Sequence, residues 1–374
     1  METLKEKQKE IKLNRTRVIN IYKNVFYVYL FKKRKMEVVW YVILFVLLGT
    51  YLLLDGYDLG TGVVYLFFAD TIEEKKKTIK SIRSVWDANE VWLFAFMTIL
   101  YLVFPKFAYL IFDAFGGYIL LFILFLLLKI LAFNLMLTFK DKKIKDVFGF
   151  FYGFFNMMMI IFIALILANI LRGIYPDAEN QLGFVSDGFS PFTTHQGIFD
   201  WFTILVTVII FITILIHGMG WVILKNTGAF NRKLKIKIQR LSIFLLVLSI
   251  IFIVLWYYLH HGIYTNYFKY PFLFVFPFLY FSGLFGLMAI RTYQEENKGF
   301  LLSTNLIIFG LLSVFSATFP RLSLSLTDEQ ITIYNTEFYD PEKFYFQGWV
   351  IAIGLLLLIY SIIIHKYNKG NVAE

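Results

Sequence analysis

The chain has 374 residues, of which 59% are hydrophobic, 20% aromatic and 17% charged, whereas a soluble domain carries about a quarter charged residues. It contains no cysteine, which excludes disulfides, thiolate catalysis and thiolate-bound metals or iron–sulfur clusters within this chain. The formal net charge of +10 comes from basic residues in short loops between apolar runs, which indicates membrane topology rather than nucleic-acid binding.

The apolar residues form long blocks, and a run of about 20 of them can cross a bilayer as a helix. Because the blocks lack an amphipathic stripe, their helices are expected to face lipid as well as each other. The sequence therefore predicts an all-α polytopic membrane protein with about nine transmembrane helices. The nine runs are 38–68, 89–112, 117–139, 147–171, 199–224, 241–259, 271–290, 299–318 and 347–364.

The loops between these runs alternate in charge. One set carries 19 Lys and Arg, whereas the other carries five, together with nine Asp and Glu. The positive-inside rule then predicts that the basic set and the C-terminus are cytoplasmic and that the first helix starts outside. The basic set is 69–86, 140–146, 225–240, 291–298 and the C-terminal tail, and the other set is 105–116, 172–198, 260–270 and 319–346.

The N-terminal segment does not fit this topology. Residues 1–35 hold eleven Lys and Arg against three Glu, yet the topology places them outside. We expect Met36 to be the physiological start; the alternative is a genuine interfacial amphipathic tail, and the intact mass of the native subunit distinguishes the two. The expected organisation is a basic extension (1–35), a single integral membrane domain (36–367) and a cytoplasmic tail (368–374).

Two carboxylates interrupt the first apolar run. If the helix continues through them, Asp55 lies roughly 26 Å from the outer end, in the cytoplasmic half of the bilayer. Asp55 and Asp58 are three residues apart and share a face, while Gly56 and Gly60 allow close approach of another backbone. Ionisable groups at this depth predict a proton-relay or ion-pair site. The alternative is a helix that ends at Gly56 and leaves solvated carboxylates.

A second polar group, Trp86 to Trp92, precedes the second run. Asp87 followed by Glu90 has the spacing of a helix capping box. A functional alternative, compatible with capping, makes Asp87 a carboxylate where protons enter from the cytoplasm, framed by the interfacial residues Trp86 and Trp92.

Lys129 is the third polar feature, about twelve residues into the third run. It is too deep to reach the interface easily, so it needs an intramembrane partner. By depth, the nearest candidates are Asp55 and Asp58.

The histidines give no pair of axial haem ligands at matching depth. Only His217 lies within an apolar run, and we expect it to be a buried hydrogen-bonding or interface residue. Methionine ligation involving Met157, Met158 or Met159 stays open from counting alone, although methionine in an apolar helix usually packs. We expect no cofactor and no metal in this chain. The remaining histidines are His195, His260, His261 and His365.

The segments DGYDLGTG (55–62) and WDANEVW (86–92) resemble the two signature segments of subunit II of cytochrome bd-type quinol oxidases, which read close to DGFDLGVG and VWDGNEVWL. Within the second segment, Asn89 and Glu90 match the family along with Trp86, Asp87 and Trp92. The resemblance covers roughly 36–367. Supporting matches are Phe104-Pro105, Gly153 to Gly173, His217-Gly218 with Lys225 to Gly228, and Phe319-Pro320 with Ser325 to Thr327.

The resemblance implies two four-helix bundles plus one peripheral helix, in a bacterial cytoplasmic membrane. It implies a heterodimer whose partner, subunit I, holds two b-type haems and haem d, oxidises quinol and reduces dioxygen to water. This chain would be the haem-free subunit, not catalytic alone. Asp87 would belong to a proton path from the cytoplasm toward haem d. Further partners would be the quinone pool, the lipid bilayer and small single-helix subunits.

Two departures from the family pattern stand out. Lys129 occupies a segment where the family usually has arginine, which keeps the charge but loses bidentate geometry, and Ala88 replaces the usual glycine. Two alternative functions are a scaffold subunit without proton transfer, which differs only in whether Asp87 matters, and a secondary transporter. A transporter would show inverted repeats and broken helices. The interruption at Asp55 and Asp58 fits this weakly, and the other half has no matching interruption.

Overall fold

The structure is a computed structural model. It describes the backbone of residues 2–83, 89–174, 199–324 and 330–336, and side chains within these ranges from residue 35 onward. The helices are α1 (Glu2–Phe67), α2 (Ile72–Ile82), α3 (Val91–Val103), α4 (Pro105–Thr138), α5 (Lys142–Arg172), α6 (Trp201–Lys225), α7 (Ala229–Leu259), α8 (Thr265–Lys269), α9 (Val275–Met288) and α10 (Lys298–Thr318).

Seven of the described helices have segments long and apolar enough to cross a membrane: α1 from Lys35, α4, α5, α6, α7, α10, and α9 with the 3₁₀ turn before it. Helix α3 is apolar but shorter, at 13 residues. The protein is thus an all-α polytopic membrane protein, as predicted. The ninth predicted run, 347–364, lies outside the described residues.

The boundary between the second and third predicted spans is wrong. Residues 105–116 were expected to form an outer loop, but α3 ends at Val103 and α4 runs unbroken for 34 residues from Pro105. Phe104 has non-helical dihedrals (φ −124°, ψ 58°), and proline favours the first helical position, where its missing N–H is not needed. Lys129 is therefore in the last third of a long helix rather than near the middle of a shorter one.

Eight of the described helices pack as two groups of four. Helices α1, α3, α4 and α5 form one bundle, and α6, α7, α9 and α10 form the other. The bundles join where α1 and α5 pack against α6, which also contacts α10. A two-stranded antiparallel ladder, β1 (Arg321–Ser323) with β2 (Ile331–Thr332), follows α10 in a segment for which only a loop was expected.

Glycines bring α1 and α6 into backbone contact at this junction. A Cβ added at Gly218 would lie 2.2 Å from the carbonyl carbon of Gly60, and one added at Gly60 would lie 2.3 Å from the backbone oxygen of Ile214. No side chain fits between the two helices here. The contact fixes the height of α6 beside the α1 segment that carries the two aspartates.

Candidate functional site

Helix α1 passes through Asp55 and Asp58 without a break. The alternative in which the helix ends at Gly56 is therefore wrong. Both aspartates are fully buried, on the face of α1 that packs within the first bundle. Apolar residues on either side hold this turn helical, because a backbone surrounded by hydrocarbon must satisfy its own hydrogen bonds.

Lys129 of α4 lies between three carboxyl groups. Its Nζ is 2.8 Å from Asp58 Oδ2, 3.3 Å from Asp55 Oδ1 and 3.2 Å from Glu90 Oε1. The lysine and both aspartates are completely shielded from solvent, whereas the Glu90 side chain is 14% exposed. We call Asp55, Asp58, Glu90 and Lys129 the four-residue cluster.

Glu90 has a different position from the one its spacing suggested. Helix α3 begins at Val91, so Glu90 is the residue before the helix, and its side chain makes no capping hydrogen bond. Its carboxylate faces Lys129 instead. The other member of the predicted capping box, Asp87, lies outside the described residues, so the capping box stays a prediction.

Two tyrosines border the four-residue cluster. The Tyr152 hydroxyl of α5 donates to Asp58 Oδ1 at 3.1 Å, so Asp58 receives the lysine on one oxygen and the tyrosine on the other. Asn89 Nδ2 donates to the Tyr57 hydroxyl at 3.4 Å. These contacts tie α1, α4, α5 and the segment before α3 together at one point.

Acidic groups outnumber basic groups in the four-residue cluster. Oxygens of its three carboxyl groups lie within 4.8 Å of one another, and the described part of the chain places one ammonium among them. Repulsion between neighbouring carboxylates favours keeping a proton within such a group, so the arrangement suits proton exchange. A metal ion would fit poorly, because Lys129 Nζ occupies the space between the three oxygen donors.

His217 is fully buried on α6. Its Nδ1 is 2.9 Å from Ser303 Oγ, and its Nε2 donates to the Leu53 carbonyl oxygen at 3.1 Å. Its ring stacks on Phe300 with centroids 4.8 Å apart. Because both ring nitrogens have protein partners, His217 joins α1, α6 and α10 and leaves no nitrogen for a haem iron.

Sequence reasoning missed Glu90 as a partner of Lys129, and it missed Tyr152 and Trp221 altogether. Trp221 stacks on Tyr57 with centroids 4.2 Å apart, and its Nε1 donates to the Ser81 carbonyl oxygen at 2.9 Å. A signal for Tyr152 was present, because Gly149, Tyr152, Gly153 and Asn156 recur at helical spacing on one face of α5.

Some sequence-derived candidates cannot be placed. Asp87 and Trp86 fall in 84–88, His195 in 175–198 and His365 in 337–374, all outside the described residues. Trp92, the last residue of the second motif, is buried among apolar side chains of the core.

Comparison with known proteins adds a family match. The family model described as cytochrome bd terminal oxidase subunit II matches residues 36–367. The chain is 24% identical over 217 residues to the cytochrome bd ubiquinol oxidase subunit 2 of Bacillus subtilis, covering 56% of this chain and 60% of that protein. It is 25% identical over 149 residues to the cytochrome bd-I ubiquinol oxidase subunit 2 of Escherichia coli K12, covering 39% of each. The matches thus span 60% or less of these relatives' lengths.

A solved structure shares the fold. The bd oxidase from Geobacillus thermodenitrificans contains a chain that superposes with a TM-score of 0.66 at 17% identity, covering 90% of this chain and 99% of that one. At this identity the similarity establishes the architecture of the helices.

Proposed function

The chain belongs to the cytochrome bd terminal oxidase subunit II family, and from this premise we propose that it is the haem-free subunit of a quinol-oxidising, dioxygen-reducing complex. In this proposal it supports a haem-bearing subunit I and contributes a proton path from the cytoplasm. The two b-type haems and haem d belong to subunit I, and quinol comes from the membrane pool. The C-terminus is cytoplasmic, and small single-helix subunits complete the assembly.

The four-residue cluster is the observation that carries the proton-path proposal. Glu90 is its partly exposed member, and Asp87 precedes Glu90 by three residues in the chain. A proton taken up at Asp87 would pass to Glu90 and then to Asp58 and Asp55, which are fully buried. Lys129 keeps negative charge stable at this depth, so that each carboxyl group can release and regain a proton.

The haem-free part of the proposal rests on His217. It is the one histidine within a membrane-crossing helix among the residues described, and both of its nitrogens are engaged. His217 therefore does not fit an axial haem ligand, and the proposal routes no step of the mechanism through a haem in this chain. The unbroken α1 also weakens the transporter alternative, which needs a discontinuous helix at the binding site.

A reduced-minus-oxidised absorbance spectrum tests the assignment to the complex. The protein purified alone should be colourless, whereas co-expression with the gene for subunit I should yield b- and d-type bands and quinol-dependent oxygen uptake. Haem bands from the isolated chain would contradict the haem-free assignment. A chain that never co-purifies with a coloured partner would favour the transporter.

The proton path is tested by Asp87→Asn in the assembled oxidase. Removing the first proton-accepting group should slow oxygen consumption by about tenfold or more, because a positioned acid–base group typically contributes about 10²–10⁴-fold. Proton uptake should fall in parallel, while the haem spectrum stays unchanged. Asp146→Asn is the matched control, because Asp146 is an exposed carboxylate paired with Lys75 outside the cluster. Full turnover in Asp87→Asn would leave only a scaffolding role.

A further inference from the structure

Two stacked aromatic rings lie where α1 meets α6, beside the four-residue cluster. Tyr57 of α1 directly precedes Asp58 in the chain, and its ring stacks on that of Trp221 of α6, with centroids 4.2 Å and planes 16° apart. Both side chains are buried. We call Tyr57 and Trp221 the aromatic pair. The proposed proton path passes through neither ring.

Several contacts fix the indole of Trp221. Phe300 of α10 meets it edge-on with centroids 5.2 Å apart, and Lys225 Nζ lies 4.7 Å from the centre of the ring. A buried indole N–H usually finds a partner, and Nε1 donates to the Ser81 carbonyl oxygen at 2.9 Å. Ser81 is the next-to-last residue of α2, where carbonyl groups lack partners within the helix. Trp221 thus satisfies one of these carbonyl groups and holds the end of α2 against α6.

The start of α2 is held as well. Glu74 completes a capping box with Thr71 and is 2.9 Å from Lys233 Nζ of α7. Lys75 Nζ is 3.3 Å from Asp146 Oδ1 of α5. Helix α2 is therefore tied to both bundles, and its end is a fixed point from which the chain continues toward α3.

The tyrosine of the aromatic pair makes the second contact with the chain. Its hydroxyl accepts a hydrogen bond from Asn89 Nδ2 at 3.4 Å. Asn89 is buried and directly precedes Glu90, whose carboxylate is 3.2 Å from Lys129 Nζ. The Glu90 side chain makes no capping hydrogen bond, so the start of α3 does not by itself aim the carboxylate. The residue before Glu90 is instead bound to the aromatic pair.

We propose that the aromatic pair positions Glu90 for proton transfer. Tyr57 holds Asn89, and Trp221 holds both the Tyr57 ring and the end of α2. The backbone at Glu90 therefore stays where its carboxylate reaches Lys129. Neither ring carries the proton, so both are positioning residues. The inference deepens the proposed function and rests on it in one respect, namely that Glu90 carries protons.

Carboxyl labelling of the assembled oxidase tests the position of Glu90 without measuring turnover. The complex reacts briefly with a water-soluble carbodiimide and glycine ethyl ester, and peptide mass spectrometry gives the labelled fraction of Glu90. Trp221→Phe and Tyr57→Phe each keep a ring and remove one hydrogen bond. Each should raise the labelling of Glu90 by about threefold or more, the change in equilibrium that one net hydrogen bond supports. Glu295, an exposed carboxylate just before α10, is the internal reference.

Each variant has a matched control in another part of the core. Trp256 of α7 is also buried, and its Nε1 donates to the Leu171 carbonyl oxygen at 3.1 Å. Trp256→Phe therefore loses the same kind of hydrogen bond and should leave the labelling of Glu90 unchanged. Tyr267→Phe is the control for Tyr57→Phe, because the Tyr267 hydroxyl donates to a backbone carbonyl oxygen of α10 at 2.7 Å.

A double-mutant cycle separates positioning from a general loss of stability. Trp221→Phe should lower kcat for quinol-dependent oxygen uptake by roughly three- to tenfold. The KM for quinol and the haem spectrum should stay unchanged, because the substitution acts on proton supply. In a Glu90→Gln background the same substitution should cause no further loss, because its effect passes through Glu90.

Unchanged labelling of Glu90 in both Trp221→Phe and Tyr57→Phe would overturn the positioning role. Equal losses of kcat from Trp221→Phe with and without Glu90→Gln would also overturn it, because they indicate a structural effect that does not involve Glu90. Full turnover in Glu90→Gln would contradict the proton path itself. Increased labelling of Glu90 would in that case still support the contact, so the two failures can be told apart.

Discussion

Replacing Lys129 with methionine should cost the folded protein about 3–5 kcal/mol, the usual penalty for removing one partner of a buried ion pair. The substitution keeps the length of the side chain and deletes its charge. Three carboxyl groups would then face one another without an ammonium, two of them fully shielded from water. Each carboxyl group must then either take up a proton or remain as an uncompensated charge in hydrocarbon, which is energetically unfavourable.

The measurement is the thermal midpoint and yield of the assembled oxidase, with Lys106→Met as the control. Lys106 is exposed near the N-terminal end of α4, so its loss should shift stability by less than about 0.5 kcal/mol. Lys129→Arg should retain most of the stability because the charge is kept. In a double-mutant cycle, Asp58→Asn should recover part of the loss in Lys129→Met. Unchanged yield and midpoint in Lys129→Met would show that the ion pairs are not needed for assembly or stability.

Replacing Gly218 with alanine, which adds one methyl group, should cause the second-largest loss of stability. The new Cβ would lie 2.2 Å from the carbonyl carbon of Gly60 and 2.5 Å from the amide nitrogen of Thr61. These are backbone atoms of α1, so the two helices must separate. Overpacking typically costs about 1–3 kcal/mol, and we expect the upper end of that range because no flexible side chain can move aside.

A glycine-to-alanine substitution elsewhere controls for helix propensity. Gly116 lies within α4 and a Cβ there would meet nothing within 4 Å. Gly116→Ala should therefore be neutral or stabilising by up to about 1 kcal/mol, while Gly218→Ala lowers the thermal midpoint and weakens the junction between the bundles. Equal midpoints for the two variants would mean that α1 and α6 are farther apart than the glycine contact implies.

The membrane-crossing helices could be predicted from the sequence because each depends on the hydropathy of consecutive residues. A run such as 147–171 is apolar over the thickness of a bilayer, and α5 covers it, from Lys142 to Arg172. The boundary between α3 and α4 could not be read in this way. Hydropathy alone does not locate the break at Phe104. Pro105 was the local signal for it, because proline favours the first position of a helix.

The residues of the candidate site also fall into two groups, those that the sequence could predict and those that it could not. The depth of Asp55, Asp58 and Lys129 marked them as residues that need partners, because lipid does not tolerate lone charges. Nothing in the sequence indicated that Glu90 needs a charged partner. It lies before a helix, where a capping role was plausible, and its contact with Lys129 bridges 39 residues of chain.

The sequence by itself determined that this is a polytopic helical membrane protein of the cytochrome bd subunit II family and which buried charges require explanation. Hydropathy, loop charge and two short motifs are properties of neighbouring residues, so they can be recognised from the sequence alone. Only the tertiary structure decided that Lys129 binds three carboxyl groups and that Tyr152 donates to Asp58. Those contacts join separate helices, whose relative height is set by backbone contacts such as that of Gly60 with Gly218, and no local pattern encodes that height.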